Sequence, residues 1–230
     1  LAETIAEAHK HGLFVEAWFE YGFVGGWTGN QPSGKKGPIF DSHPNWIAKK
    51  KDGTEIDGSN FYWMIHTHND VQRFLIDLSM ELVRNYDIDG IELDRIRYSS
   101  LEYGYDLYTD SLYRFEHNNT PPPENIADAA WIKWRADKLN DFMSGIYDSI
   151  KTENPHINVS NAPSLYSSSS YTAYYSFCQD WAAWINNNII DNIQVQSYVS
   201  SSSSFGAILD YIKTLVQDYQ KVYRAFEISP

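Results

Sequence analysis

Tyr86-Asp87-Ile88-Asp89-Gly90-Ile91-Glu92-Leu93-Asp94-Arg95-Ile96-Arg97-Tyr98 is the stretch on which the fold turns. Ile88–Leu93 reads as a short apolar strand. Side chains alternate along a strand, so Glu92 and Asp94 share one face while Ile91 and Leu93 share the other. The apolar face belongs against helices. The carboxylates then face an interior, with Asp94 at the strand's carboxyl end. Arg97 follows closely enough to hold Asp94 ionised.

The same logic extends in both directions. Upstream, Asn69–Tyr86 is an amphipathic helix, with Val71, Phe74, Leu75, Leu78, Leu82 and Val83 at helical spacing. Before it, Leu1–His11 reads as a helix ended by Gly12, and Leu13–Phe19 as a strand. Glu20–Asn60, rich in Gly, Pro and Trp, reads as an active-site loop holding a short helix near Asn45–Lys50. Downstream comes a second long loop, 95–125, ending in three prolines. A helix with the stripe Leu139, Phe142, Met143, Ile146, Tyr147 and Ile150 follows and ends near Thr152. His156–Ser160 is a strand, Ser164–Tyr175 a loop, Trp181–Asn188 a helix and Ile193–Val199 a strand. Ser200–Ser204 leads into a helix over Phe205–Tyr219, and Lys221–Ile228 is the last strand.

Alternating strands and helices imply parallel strands joined by crossover helices. The pattern fits five strands of an eight-stranded α/β barrel, the (β/α)8 TIM barrel, or a doubly wound sheet. No Gly-x-Gly-x-x-Gly turn follows a strand, which weakens the dinucleotide-binding version of the latter. The longest loops follow strand carboxyl ends, where barrels build active sites. On that end the alternation also gathers Glu16, Trp18 and Glu20 from the first strand. It adds Gln194, Gln196 and Tyr198 from the fourth and Glu227 from the last. Unpaired buried carboxylates cost several kcal/mol each. Glu16 and Glu92 therefore either line a water-filled site for hydroxyl-rich ligands or form salt bridges inside the barrel.

Composition narrows the partners. The 230-residue chain carries a net charge of −12, which repels phosphate backbones, so nucleic acid is not an expected partner. No apolar run approaches the ~20 residues of a transmembrane span. The single cysteine, Cys178, makes no internal disulfide and no cysteine-based zinc site; it reads as a buried thiol at a helix start. His66-Thr67-His68 has metal-like spacing without a third ligand and reads as loop surface, so no metal or other cofactor is expected. Lys35, Lys36 and Lys49–Lys51 read as solvated. No serine-hydrolase elbow or phosphate loop is present. The 17 Tyr and 8 Trp suit either an aromatic core or a cleft where rings stack on sugars.

Ala6–Glu20 (AEAHKHGLFVEAWFE), His43–Lys49 (HPNWIAK) and the opening stretch together resemble the glycosyl-hydrolase-like ten group of TIM-barrel proteins, in order and spacing, across most of the chain. The resemblance implies that two barrel strands precede Leu1 and at least one follows Pro230. It implies one catalytic-type domain over residues 1–230 that hydrolyses a polysaccharide, typically in a secreted or envelope protein of bacteria. The family's Asp after strand four falls on Asp94, and its Arg-Tyr pair on Arg97 and Tyr98. Its Trp and Arg after the fourth loop resemble Trp131 or Trp134 with Arg135. Its Gln and Tyr after strand six resemble Gln196 and Tyr198, and a polar residue before the fourth helix matches His68. This chain departs from the family in carrying Arg95 where many members have a second Asp, and Glu92 where many have His.

Glycoside hydrolysis needs two carboxyl groups flanking the scissile bond. Asp94 is expected as nucleophile or base. Glu20 is the first choice of acid, because Trp18 would desolvate it and favour its protonated form; Glu227 is the second. Trp18, Tyr21, Trp27, Trp63, His68, Glu92, Arg97, Gln196 and Tyr198 are expected to contact the poly- or oligosaccharide. The rivals are a carbohydrate-binding barrel without catalysis, which Arg95 motivates, and a different hydrolase or a lyase on the same barrel.

Overall fold

A computed structural model describes residues 1–225, Ser33 and Tyr166 excepted. In chain order the helices and strands are α1 (Ala2–Lys10), β1 (Glu16–Phe19), β2 (Val24–Trp27), α2 (Pro38–Ser42), β3 (Phe61–Trp63), α3 (Asn69–Asn85) and β4 (Gly90–Leu93). Then follow α4 (Leu107–Glu116), α5 (Ala129–Glu153), β5 (Asn158–Asn161), α6 (Thr172–Phe177), α7 (Trp181–Asn186), β6 (Asn192–Gln196), α8 (Ser202–Leu215) and β7 (Val222–Ala225).

The main sheet is parallel in the order β1-β4-β5-β6-β7. Each strand lies beside the next strand of this sheet in sequence. A doubly wound sheet reverses its strand order at a switch point. Here no reversal occurs among the described strands, so the winding is that of an arc of a (β/α)8 barrel.

Alternation fixes the two faces. Ile91, Leu93, Val159, Ile193 and Val195 are buried toward the helices. Each full burial is worth about 1.5–3 kcal/mol. Helices α3 and α5 pack against each other on that side. Both begin at side-chain caps: His68 accepts from Asp70 N–H, and Asp128 accepts from Ala130 and Trp131 N–H. Among the described residues no helix is long and apolar enough to cross a membrane.

Several boundaries differ from the sequence reading. The first strand begins at Glu16, leaving Leu13 and Phe14 exposed. The 20–60 segment is not one loop: β2 and β3 pair antiparallel, and α2 lies between them in sequence. No helix forms over 45–50. A single turn covers Pro44–Trp46, and the chain then extends so that Ile47 bridges Met64 and Lys50 bridges Tyr103. Within 95–125, Asp106 caps α4 through Thr109 N–H. The serine run supplies the first turn of α8, with Ser201 capping Ser204 N–H at 3.1 Å. Beyond Ala225 the expected last strand lies outside the described residues.

Candidate active site

Asp94 follows β4 at its carboxyl end and is only 5% exposed. The N–H of Arg95 donates to its Oδ1 at 2.6 Å, and the Trp18 side chain lies beside the same carboxylate. Burial pushes its pKa above the usual aspartate range, while Arg97, the Arg95 N–H and Trp18 pull it back. Gly22 makes this packing possible. A Cβ there would meet Asp94 O at 2.3 Å and Arg95 O at 2.8 Å, and its φ of +46° is a left-handed conformation that suits glycine.

Beneath Asp94 the interior face carries more carboxylates. Glu16 Oε1 accepts from Ser160 Oγ at 2.7 Å and Asn158 Nδ2 at 3.2 Å. It reaches across β4 because Gly90 is in register with Glu16 and offers no side chain. Glu92 sits between, in register with Trp18 and Ser160. Burial, then the charges of Asp94 and Glu16, push its pKa up to about 7. The salt-bridge alternative for this pair is thereby corrected: among the described residues neither Glu16 nor Glu92 has an ion pair, and the partners of Glu16 are neutral.

Glu20 and Arg95 meet at the mouth. Arg95 Nη2 donates to Glu20 Oε1 at 3.4 Å, and its guanidinium lies 5.0 Å from the Phe61 ring centroid and 5.7 Å from that of Tyr21. Arg95 itself has a φ of +50°. Trp18, Tyr21 and Trp27 are exposed, Trp18 at 62%. A cleft of about 560 Å³ runs from Trp18, Glu20 and Tyr21 past Trp27 to Phe74, Leu75 and Leu78 of α3. Asp94 is not in its lining. The cleft therefore adjoins the carboxylate along the β1 side and is not centred on it.

The structure brings together Trp18, Glu20, Tyr21, Glu92, Asp94 and Arg97 at one end of the sheet. On β6, Gln196 is half-buried and its backbone pairs with the 163–165 segment. Tyr198 follows, half exposed. Arg97 reaches Ser164 Oγ at 3.2 Å, which links the loop after β4 to that same segment. Glu227 lies outside the described residues.

Two expected contacts are corrected. Trp63 is buried and donates its indole N–H to Asp57 Oδ2 at 2.8 Å, so its ring is a wall of the β2–β3 insertion and not an open stacking face. His68 is buried as the α3 cap, stacked on Tyr108 at 4.2 Å. The whole His66-Thr67-His68 run is core, not loop surface. His66 stacks on Tyr98 at 3.8 Å, and burial holds its pKa down to about 3. Among the described residues no three His, Cys, Asp or Glu side chains are grouped to hold a metal ion. Cys178 is buried as expected, but at the end of α6, and burial pushes its thiol up to about 11. The lysines expected in solvent have exposed side chains, Lys50 excepted, and they also pair with carboxylates, Lys36 and Lys49 with Glu55, Lys35 with Asp41, Lys50 with Glu102 and Lys51 with Glu124.

Arg135 supports the site from behind. It is fully buried and donates to the carbonyls of Leu101, Tyr103 and Ile126 at 2.7–3.1 Å. Tyr98 packs between it and His66, and His66 in turn hydrogen-bonds Arg97 O at 3.0 Å. This stack fixes the Arg97–Tyr98 segment. A second support, Gln179 Nε2 to Asn161 Oδ1 with Asn161 Nδ2 on Leu93 O, holds the end of β4. The sequence reading named neither Asn161 nor Gln179. Each sits beside another polar residue, Ser160 and Asp180, so no local signal sets either apart.

Comparison with known proteins agrees with this architecture. The chain is 24% identical over 227 residues to "Glycosyl hydrolase YngK" of Bacillus subtilis, covering 92% of this chain and 41% of that protein. It is 24% identical over 220 residues to "Glycosyl hydrolase DigH" of Escherichia coli K12, covering 86% of this chain and 46% of that one. It thus spans less than half the length of these relatives. Among solved structures, the glycoside hydrolase domain of PgaB (BpsB) from Bordetella bronchiseptica superposes with a TM-score of 0.63 at 12% identity, covering 95% of this chain and 62% of that one. The GH36 alpha-galactosidase AgaA of Geobacillus stearothermophilus gives 0.59 at 14% identity, covering 96% and 25%. At such identities these two structures speak for the shared TIM-barrel fold alone. The sequence profile of the family described as Glycosyl hydrolase-like 10 matches residues 1–225, and the chain belongs to that family.

Proposed function

We propose that this chain carries the active end of a glycoside hydrolase that cleaves a polysaccharide, with Asp94 as its nucleophile or base. The observation that carries the reading is the setting of Asp94. A shielded carboxylate stands at a barrel strand's carboxyl end, held by the Arg95 N–H beside Trp18 and an aromatic-lined cleft. Family membership and relatives named glycosyl hydrolases support the reaction class.

The chemistry follows from two carboxyl groups. In a retaining reaction Asp94 attacks the anomeric carbon while an acid protonates the departing oxygen; water then releases the glycosyl ester. In an inverting reaction Asp94 deprotonates the attacking water instead. Glu20 at the mouth and Glu227 beyond the described residues are the proposed acids. Trp18, Tyr21 and Trp27 offer ring faces to the sugars, and Arg97, Gln196 and Tyr198 offer polar contacts. Glu92 supports this constellation from below. The setting proposed for the activity is extracellular or at the cell envelope, which fractionation of the source cells tests.

Incubation with a panel of polysaccharides, followed by mass spectrometry, tests the class. Hydrolysis adds one water per bond cleaved, its hydroxyl to one fragment and its hydrogen to the other. Unsaturated fragments without added water point to a lyase and defeat the proposal. A second reading, a carbohydrate-binding barrel without catalysis, is favoured by the contact between Glu20 and Arg95. Binding without turnover, unchanged in Asp94→Asn, distinguishes it.

A further inference from the structure

Arg95 is held in an unusual way. Its backbone is left-handed, with φ +50°, a conformation that is strained for a residue with a long side chain. Backbone strain of this kind persists where the surroundings over-determine it, and it clusters at functional sites. Here Gly22 packs against the Asp94 and Arg95 carbonyls. The guanidinium lies 5.0 Å from the Phe61 ring of β3 and 5.7 Å from the Tyr21 ring, and these two rings, 6.1 Å apart, stand together on one side of it.

Its hydrogen bonding is sparse. A guanidinium has five N–H donors. Among the described residues Arg95 uses one long contact, Nη2 to Glu20 Oε1 at 3.4 Å, and its shielded Nε has no acceptor. Arg135 makes the contrast, with buried donors that reach four backbone carbonyls. The Arg95 side chain keeps 21% exposure and contacts Glu20 and Tyr21, two residues that line the cleft. Arg95 and Arg97 stand against Asp94 and Glu20 at the mouth, in a chain whose net charge is −12.

We propose that Arg95 is a specificity-determining residue that receives a carboxylate borne by a sugar unit of the substrate, as in a uronic acid. A planar fork of donors matches a planar carboxylate in two parallel hydrogen bonds. A neutral hydroxymethyl group at the same place leaves the fork half used. The inference rests on the carbohydrate reading of the site but not on turnover.

The test is a titration of ¹⁵N-arginine-labelled protein with D-glucuronate and, separately, D-glucose, at constant ionic strength with sodium sulfate as a second control. The Arg95 Nε–H signal is identified by its loss in Arg95→Asn, a substitution that suits the left-handed backbone and so preserves the fold. Saturable movement of that signal with glucuronate, but not with glucose, is expected. Glucuronate affinity read on neighbouring signals falls about tenfold or more in Arg95→Asn, and falls also in Arg95→Lys, which keeps the charge without the fork. An Arg95 signal that ignores glucuronate, or that moves equally with sulfate, overturns the proposal. Because binding is read directly, a protein that hydrolyses a neutral polysaccharide through Asp94 yet fails this titration refutes the Arg95 role alone. A protein that passes it without hydrolysing any polysaccharide refutes the hydrolase reading alone.

Discussion

Replacing Glu92 with Gln should raise stability in mild alkali and do little in mild acid. Burial and the neighbouring charges of Asp94 and Glu16 move the Glu92 pKa from an ordinary 4.5 to about 7 in the folded chain. A group whose pKa is raised by folding contributes stability that is fully present below its unfolded pKa. That contribution is lost as pH rises through the folded value. The gap corresponds to about 3 kcal/mol at full effect. Glu92 is half-buried and screened by solvent, which reduces this to about 1–2 kcal/mol. Gln is neutral throughout and escapes the loss. Urea unfolding at pH 5 and at pH 8.5 reads the effect. The expected result is a variant about 1–2 kcal/mol more stable than the parent at pH 8.5, with that advantage gone at pH 5. A stability difference that stays constant between the two pH values refutes the reasoning, because Glu92 would then titrate as an ordinary glutamate.

Other perturbations probe the supports of the site. Gly22→Ala adds a methyl group 2.3 Å from Asp94 O at a positive φ; beyond the ~1–2 kcal/mol for the backbone conformation it must displace the Asp94 turn, so melting temperature and polysaccharide hydrolysis should fall together. Arg135→Met strands the carbonyls of Leu101, Tyr103 and Ile126 at ~1–3 kcal/mol for each that stays dry, and hydrogen exchange should show the 101–126 segment opening first. At Asp57 burial alone would raise the pKa, but hydrogen bonds from Phe61 and Ser59 N–H, Trp63 and Ser99 outweigh it and leave the pKa low. Its contribution is present above the unfolded pKa and fades as pH falls through the folded one, so Asp57→Asn should narrow the stability gap between pH 6 and pH 3.

Strand parity made the sheet and its polar interior legible. Ile91 and Leu93 against Glu92 and Asp94 is a local pattern, and the register carries it through Trp18, Ser160 and Asn192. The β2–β3 insertion was not legible, because Val24-Gly25-Gly26-Trp27 carries the glycines of a loop. Those glycines serve close approach: a Cβ at Gly25 would meet Phe40 at 2.5 Å, and one at Gly26 the carbonyl of Lys36 at 2.1 Å. Helix α4 hid for another reason. Its apolar residues lie all round it, and Leu107 and Phe115 remain 86% and 87% exposed, so no single stripe marks it. His66 and His68 read as surface because polar residues usually are. Their burial depends on stacking partners, Tyr98 and Tyr108, from distant segments. The contact of Arg95 with Glu20 joins residues 75 apart in sequence, beyond the reach of any local rule.

The account rests on Asp94 as a reacting group, and the rate of reducing-end release from a cleaved polysaccharide by the parent and by Asp94→Asn tests it most directly. Asparagine preserves the size and accepts the same Arg95 N–H, so the fold should persist while the nucleophile or base is gone. The predicted result is a loss of at least about a hundredfold in rate with unchanged melting behaviour. An Asp94→Asn protein that works at the parent's rate contradicts the central claim.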